Sequence, residues 1–158
     1  MNSQIRKKTM AILKRSFMQA AFVVATMLGS AVMAQGQSDK IEVLWYNDIK
    51  DAKIQIYKAV DGKFYGKIIW LRDPIKNGKP KVDEKNSKKD LQSQPVVGLT
   101  ILKGFKKDGD SYSDGTIYDP TNGKTYDCKM TYKGKTLSIR GYIGFSFLGR
   151  TTIWEKAG

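Results

Sequence analysis

After residue 38 the chain is built from short segments in which bulky and polar side chains alternate. Residues 126–132 alternate without a break, and residues 53–58 and 137–143 repeat the pattern. Strict alternation sends successive side chains to opposite faces of a strand, whereas an amphipathic helix needs apolar residues three and four positions apart. This part of the chain is therefore predicted to be all-β.

The connections between these segments have the chemistry of tight turns. Further strands are predicted over residues 41–46, 64–71, 96–105 and 151–155. Tight turns are predicted at Asp61-Gly62, Asp108-Gly109, Asn122-Gly123 and Lys133-Gly134, because Gly and Asn readily adopt the positive φ that hairpin turns require. About eight strands joined in this way form an antiparallel meander, and closure hides its edges. The prediction is a single antiparallel up-and-down barrel.

One long polar excursion, residues 73–94, interrupts the strand pattern. It is too long for a hairpin turn, and Ser87-Lys88-Lys89-Asp90 resembles a capping box, which predicts a short helix near Asn86. Such an excursion on a small barrel is either a lid over one mouth or a mobile loop. Carboxylate and amide oxygens are Ca²⁺ ligands, but the lysines between them favour a solvated, charged loop. These oxygens belong to Asp83, Glu84, Asn86 and Asp90.

The first 34 residues have the three-part layout of a secretory signal peptide. Residues 1–15 carry five basic and no acidic side chains, residues 16–34 carry no charge, and the segment ends in Val32-Met33-Ala34. An uncleaved membrane anchor is the alternative, because 19 uncharged residues just suffice to cross a bilayer. Residues 1–34 are predicted to be removed, and residues 35–158 to form the exported domain, periplasmic or secreted, with no transmembrane span.

The chain has no histidine and one cysteine, Cys128. This composition removes the commonest general base and metal ligand, and it excludes an internal disulfide and a multi-thiolate metal site. Alternation along its strand predicts that Cys128 points inward as a small apolar side chain. The chain is predicted not to be an enzyme and to need no cofactor. A carboxylate-based hydrolase using Asp114, Asp119 or Asp127 is the remaining catalytic alternative.

The protein is basic, with 28 Lys and Arg against 15 Asp and Glu and a net charge of +13. After residue 38 the basic residues are nearly all lysines spread over the hairpins, whereas phosphate and base readers cluster arginines in a stripe. The charge therefore predicts a well-solvated surface with weak attraction to anionic polymers, and no nucleic-acid partner.

Several motifs together resemble a known bacterial family. They are GKFYGKIIWL at 62–71, PVVGL at 95–99, GTIYDP at 115–120, RGYIG at 140–144 and LGRT at 148–151. Over residues 41–155 the chain resembles the secreted family catalogued as domain-of-unknown-function family 2147. The resemblance implies a lipocalin-like barrel that follows a signal peptide, and it attaches no reaction to the family.

The candidate binding residues are aromatic side chains and arginines of the predicted strands. In lipocalin-like barrels a tryptophan of the first strand packs beneath an arginine of the last strands, so the resemblance implies that pairing here as a structural plug. An anion clamp is the alternative role for the arginines. The aromatic side chains suit a ligand cavity or a filled core equally. The predicted ligand-binding residues are Trp45, Trp70, Tyr126, Arg140, Tyr142, Arg150 and Trp154.

The sequence thus predicts an exported, non-catalytic barrel that binds a small apolar or amphiphilic ligand. The alternative is a structural or interaction protein of the cell envelope, with a filled barrel whose outer face or excursion contacts an envelope protein or an anionic polymer. The interior of the barrel discriminates between the two, because ligand binding needs a cavity.

Overall fold

The computed structural model describes residues 38–158. The predicted signal peptide, residues 1–34, lies outside the described residues. No helix in the described part is long and apolar enough to cross a bilayer.

Ten strands form within residues 38–158. They are β1 (Leu44–Tyr46), β2 (Ala52–Lys58), β3 (Phe64–Leu71), β4 (Ile75–Lys76), β5 (Lys79–Pro80), β6 (Thr100–Asp108), β7 (Ser111–Asp119), β8 (Lys124–Lys133), β9 (Thr136–Tyr142) and β10 (Arg150–Lys156). Eight of them close into a barrel in the order β1-β10-β9-β8-β7-β6-β3-β2, with every neighbouring pair antiparallel. The predicted all-β, eight-stranded up-and-down barrel is confirmed.

Alternate residues of each barrel strand point into one shared core. On β9, Leu137 and Ile139 are buried. On β8, Met130, which pairs with Ile139, and Cys128, which pairs with Gly141, are buried on the same face. Burial raises the pKa of the Cys128 thiol to about 12, so this cysteine behaves as a small apolar side chain. The inward position predicted for Cys128 is therefore confirmed.

One half of the barrel is filled by large side chains. Leu102 and Phe105 of β6 are fully buried, and each lies against a glycine of a neighbouring strand. A Cβ built on Gly115 would lie 2.4 Å from Cγ of Phe105, and one on Gly66 would lie 2.7 Å from Cδ1 of Leu102. Only residues without a side chain leave room for these core groups, because protein interiors are close-packed. We refer to this half as the closed end.

Trp45 belongs to the closed end. It is fully buried, its indole Nε1 donates a hydrogen bond to the backbone oxygen of Ile41 at 2.9 Å, and its ring meets Tyr132 edge to face.

The pKa of Asp39 lies below its ordinary value. Burial by itself would raise this pKa, but the hydrogen bonds that Lys107 and Tyr112 donate to the carboxylate have the larger combined effect.

The implied packing of Trp45 against an arginine does not form. Trp45 pairs with Lys156 at the end of β10, whereas Arg150 begins that strand. Six strand residues separate the two levels by roughly 20 Å. Among the described residues, every cation–π contact is made by a lysine.

The polar excursion has structure of its own. It contains the β4–β5 hairpin, whose turn places Asn77 and Gly78 at positive φ, and one 3-10 turn at Lys89–Leu91. The helix expected near Asn86 is reduced to that turn, and no side chain caps it. The reason is local, because the Asn86 side chain already accepts the backbone N–H of Lys88 at 3.0 Å.

Candidate functional site

The end of the barrel opposite Trp45 contains an open cavity of about 850 Å³. Its inner walls are mainly apolar and come from most of the barrel strands. The interior is empty here because small residues, Ala52, Gly141 and Thr152, line the cavity. At the closed end, aromatic side chains fill the corresponding space. The filled-core alternative therefore holds only for the closed end. The apolar wall residues include Ile54, Ile68, Ile101, Ile117, Ile139 and Trp154.

The rim of the cavity is polar and charged. It is built by the β1–β2 turn, the β7–β8 turn, the excursion and the start of β10. The charged rim residues are Asp48, Asp51, Glu84, Asp119, Lys76, Lys81, Lys85 and Arg150. An amphiphile placed here meets apolar walls below and charges above.

Several rim carboxylates have neighbouring partners. Glu84 pairs with Lys76 at 2.7 Å, which holds the pKa of Glu84 below its ordinary value. Asp51 accepts the side-chain amide of Asn47 at 2.5 Å. Asp119 accepts the backbone N–H and hydroxyl of Thr121 at 2.8 and 2.7 Å. Local bonds thus satisfy these three carboxylates.

Three cations of the rim, unlike Glu84, form no ion pair with a carboxylate in the described part of the chain. Within residues 38–158, no carboxylate oxygen lies within 4.0 Å of the charged nitrogens of Lys81, Lys85 or Arg150. No ion pair with a carboxylate of that part of the chain neutralises these charges, and an arginine fork has the geometry that matches a carboxylate or a phosphate.

A buried carboxylate fastens the excursion to the barrel. Asp83 is fully buried, and the hydroxyl of Tyr118 on β7 reaches its two oxygens at 2.7 and 2.9 Å. The side-chain amide of Asn86 donates to the same carboxylate at 2.7 Å. Burial, followed by the hydrogen bond to Asp83, raises the pKa of Tyr118 to about 12, so the phenol remains a donor. We refer to Asp83, Asn86 and Tyr118 as the latch.

The prediction of a wholly solvated charged loop is thus wrong at Asp83. The lysines around it indicated exposure, but its partner Tyr118 is 35 residues away in sequence, so local composition carried no signal of the pairing. The four oxygen-bearing residues do not form a common site, since Glu84 turns away to Lys76. Among the described residues, no group of three acidic or cysteine side chains is arranged to hold a metal.

The excursion also contacts the barrel through its backbone. Val82 bridges to Pro95, and the N–H of Val96 donates to the oxygen of Lys81 at 2.9 Å. In the β7–β8 turn Gly123 has φ +73°, and a Cβ there would lie 1.8 Å from the oxygen of Lys85. These contacts hold the excursion beside the cavity mouth, which is the position of a lid.

The structure brings three of the seven predicted binding residues together. Tyr126, Arg150 and Trp154 all line the cavity. Trp154 is buried in the wall, whereas Arg150 is exposed at the rim. Trp45 lies instead at the closed end.

The other three predicted residues lie on the outer face of the barrel. Arg140 and Tyr142 alternate with the inward Ile139 and Gly141, so the pleat of β9 turns them outward. Trp70, also predicted to bind a ligand, would share the inner face of β3 with Phe64 and Ile68 if alternation were unbroken. A bulge reverses its side, because Lys53 pairs with Trp70 while the next residue, Ile54, pairs with Ile68.

Outside the barrel, Trp70 forms a small surface cluster. Its ring meets Tyr46 edge to face at 6.3 Å, and the Lys53 ammonium lies over both rings. The three side chains shield one another from water, which explains an exposed tryptophan without a ligand.

The structure does not gather the aspartates considered for hydrolysis at one site. Asp119 lines the cavity rim, Asp127 is exposed on β8, and Asp114 pairs with Lys106 at 3.3 Å. Sequence reasoning also missed two rim cations, Lys81 and Lys85, because the fold of the excursion brings them to the mouth.

A solved protein has a similar architecture. The fold is similar to protein HP1028 from the human pathogen Helicobacter pylori, described as belonging to the lipocalin family, with a TM-score of 0.67 and 22% identity. The match covers 75% of this chain and 84% of that protein. This likeness supports the lipocalin-like fold. No curated protein matches the chain.

The sequence itself matches one protein family. The matching family model is described as "Uncharacterized protein conserved in bacteria (DUF2147)" and covers residues 44–156. That range begins at β1 and ends with β10, so it includes every strand of the barrel. The chain therefore belongs to the DUF2147 family.

Proposed function

We propose that this protein is an exported, non-catalytic barrel that binds a small amphiphilic ligand. The cavity carries the proposal, because about 850 Å³ of space with apolar walls opens at a charged rim. That volume is within the range of sites for small organic ligands. The apolar part of the ligand would lie among Ile54, Ile117 and Trp154, with its polar head at the mouth.

The rim charges favour an anionic head group. Lys81, Lys85 and Arg150 lack carboxylate partners among the described residues, whereas Glu84 is paired with Lys76. Asp51 and Asp119 accept local hydrogen bonds from neutral groups, and Asp48 has no side-chain partner in that part of the chain. A carboxylate or phosphate at the mouth would meet these cations without displacing an existing ion pair. We therefore propose an anionic amphiphile as the ligand, such as a fatty acid or a lysophospholipid.

Export and the absence of catalysis are supported by the sequence. The three-part layout of residues 1–34 is that of a cleaved signal, and an amphiphile carrier is useful between membranes. The chain has no histidine to act as a base. The cavity wall supplies apolar surface rather than a nucleophile paired with a base.

Filling the cavity should abolish the binding of an amphiphilic probe. Thr152→Trp places an indole in the cavity wall, and we expect the affinity for dansylaminoundecanoic acid to fall at least about tenfold because the acyl chain loses its space. Fluorescence titration measures the affinity, and native mass spectrometry of protein from the bacterial envelope identifies the natural occupant.

The matched control introduces the same side chain on the other face of β10. Ile153 is 45% exposed and points outward, so Ile153→Trp should leave probe affinity unchanged. If both variants bind as tightly as the wild type, or if the wild type does not bind the probe, the cavity is not an amphiphile site.

The choice of an anionic head group has its own test. Arg150→Gln should weaken binding of the dansylaminoundecanoic acid by about tenfold and binding of its methyl ester by less than about threefold. The ester keeps the chain and removes the charge, so the difference isolates the head group. An equal loss for acid and ester would contradict an anionic preference.

A further inference from the structure

The connection between β9 and β10 exposes four large apolar side chains. Ile143, Phe145, Phe147 and Leu148 are 72%, 68%, 74% and 71% exposed. No charged residue occurs from position 141 to 149. A contiguous exposed apolar patch on a small protein marks an interaction surface. We refer to residues 143–149 as the apolar loop.

The apolar loop is held in a defined shape. Nε of Arg140 donates to the backbone oxygen of Ser146 at 2.6 Å, and Nη2 donates to that of Phe147 at 3.1 Å. The two phenylalanine rings stack with centroids 5.6 Å apart. Its last residue, Gly149, lies close to the backbone of Gly141, where a Cβ would be 2.5 Å from the oxygen.

The loop projects beside the cavity mouth. Gly141 and Arg150 flank it in sequence, pair with each other, and both line the cavity. Whatever the loop contacts is therefore next to the entrance of the binding site. Arg140, which lies outside the cavity, has a structural role here, because it holds the backbone of the loop.

We propose that the apolar loop inserts into the surface of a bilayer containing anionic lipids and holds the cavity mouth against it. The loop exposes its apolar side chains, and two arginines, Arg140 and Arg150, lie at its base. A bilayer presents the complementary order, with acyl chains inside and phosphates at the surface. The positive net charge of the chain adds long-range attraction to anionic lipid.

A bilayer explains these features better than a protein partner. A protein interface combines an apolar centre with hydrogen-bonding groups that match its partner. Apart from Ser146, residues 143–149 are glycine or large apolar residues, and Arg140 already bonds the oxygens of Ser146 and Phe147. The loop therefore offers few free hydrogen-bonding groups to a partner. It does offer exposed apolar side chains with cations next to them.

The test is vesicle binding by the protein isolated from the bacterial envelope, with its N-terminus read by mass spectrometry. The vesicles contain phosphatidylethanolamine with a quarter phosphatidylglycerol. Phe145→Ser/Phe147→Ser should lower the partition coefficient at least about tenfold, because two insertable rings are lost. Added salt should weaken binding of the wild type, because it screens the arginines.

The control removes exposed apolar side chains elsewhere. Val60, in the β2–β3 turn at the closed end, and Ile153 are 109% and 45% exposed. Val60→Ser/Ile153→Ser should bind vesicles like the wild type. Equal losses in both double variants, or no vesicle binding by the wild type, would overturn the proposal.

A second measurement follows insertion without removing the phenylalanines. Leu148→Cys carries an environment-sensitive nitrobenzoxadiazole label, and the native Cys128 is buried and protected from labelling. We expect a blue-shifted emission on adding vesicles. An unshifted emission, or a dimer that Phe145→Ser/Phe147→Ser dissociates without changing vesicle binding, would assign the loop to a protein contact and overturn the proposal.

Discussion

Replacing Asp83 with alanine should detach the excursion from the barrel mouth and lower the free energy of unfolding by about 3 kcal/mol. The carboxylate is fully buried and accepts hydrogen bonds from Tyr118 and Asn86. Alanine would leave both donors without their acceptor and would open a space where the carboxylate stood. A drop of about 10 °C in Tm is expected for a domain of this size.

Two variants separate the latch from general effects on the excursion. Tyr118→Phe removes one donor and should cost about 1–2 kcal/mol, less than Asp83→Ala. Asp90 is exposed in the same excursion, so Asp90→Ala should change stability by less than about 0.5 kcal/mol. Chemical denaturation measures each value.

Limited proteolysis shows whether the excursion itself is released. Trypsin cuts after lysine, and we expect much faster cleavage between residues 76 and 89 in Asp83→Ala than in the Asp90→Ala control. If Asp83→Ala loses stability but keeps the excursion protected, the carboxylate stabilises the barrel without fastening a lid.

The latch also has a defined dependence on pH. The pKa of Tyr118 rises from 10.0 to about 12 in the folded protein. A raised folded-state pKa means that the contribution of the protonated phenol is fully present below pH 10 and is lost as pH approaches 12. In unfolding measurements over a series of pH values, the free energy of unfolding of the wild type should therefore fall between pH 10 and about 12. Tyr118→Phe should lack this part of the fall.

Replacing Gly115 with alanine should also be strongly destabilising, by about 3 kcal/mol. The new Cβ would lie 2.4–2.6 Å from three ring atoms of Phe105. Phe105 is fully buried in the closed end, so neither the ring nor β7 can move without disturbing neighbours. Thermal and chemical unfolding measure the loss.

Gly141 provides the matched control for this prediction. It is also an inward glycine of a barrel strand, but a Cβ there would meet Ile117 at 3.5 Å, which is ordinary contact beside the cavity. Gly141→Ala should cost less than about 1 kcal/mol. Similar losses in both variants would contradict the division of the barrel into a filled half and an open half.

Much of the strand pattern was predictable from local sequence. Residues 64–71 were predicted as a strand with the bounds that the structure has, and residues 137–143 differ by one residue at each end. Alternation and turn glycines act between near neighbours, so a single sequence contains the information. The β4–β5 hairpin was missed because its strands have two residues each and no buried side chain.

The candidate site was less predictable. Of the predicted ligand-binding residues, Tyr126, Arg150 and Trp154 are found at one cavity. Trp70 does not line this cavity, because a bulge turns it to the outer face. The bulge depends on how β2 and β3 pair and not on the residues of β3 alone. The implied packing of Trp45 against an arginine does not form for a related reason. Strand register sets the height of each residue along the barrel, and it places Trp45 opposite Lys156.

The sequence by itself determined that this chain forms antiparallel strands and closes their edges, and on most strands it determined which side chains point inward. The tertiary structure decided that one half of the barrel is filled and the other is hollow, that Asp83 is buried against Tyr118, and that the apolar loop stands at the mouth. These features arise from contacts between residues far apart in the chain, and their distances depend on strand register and close packing, which local patterns do not encode.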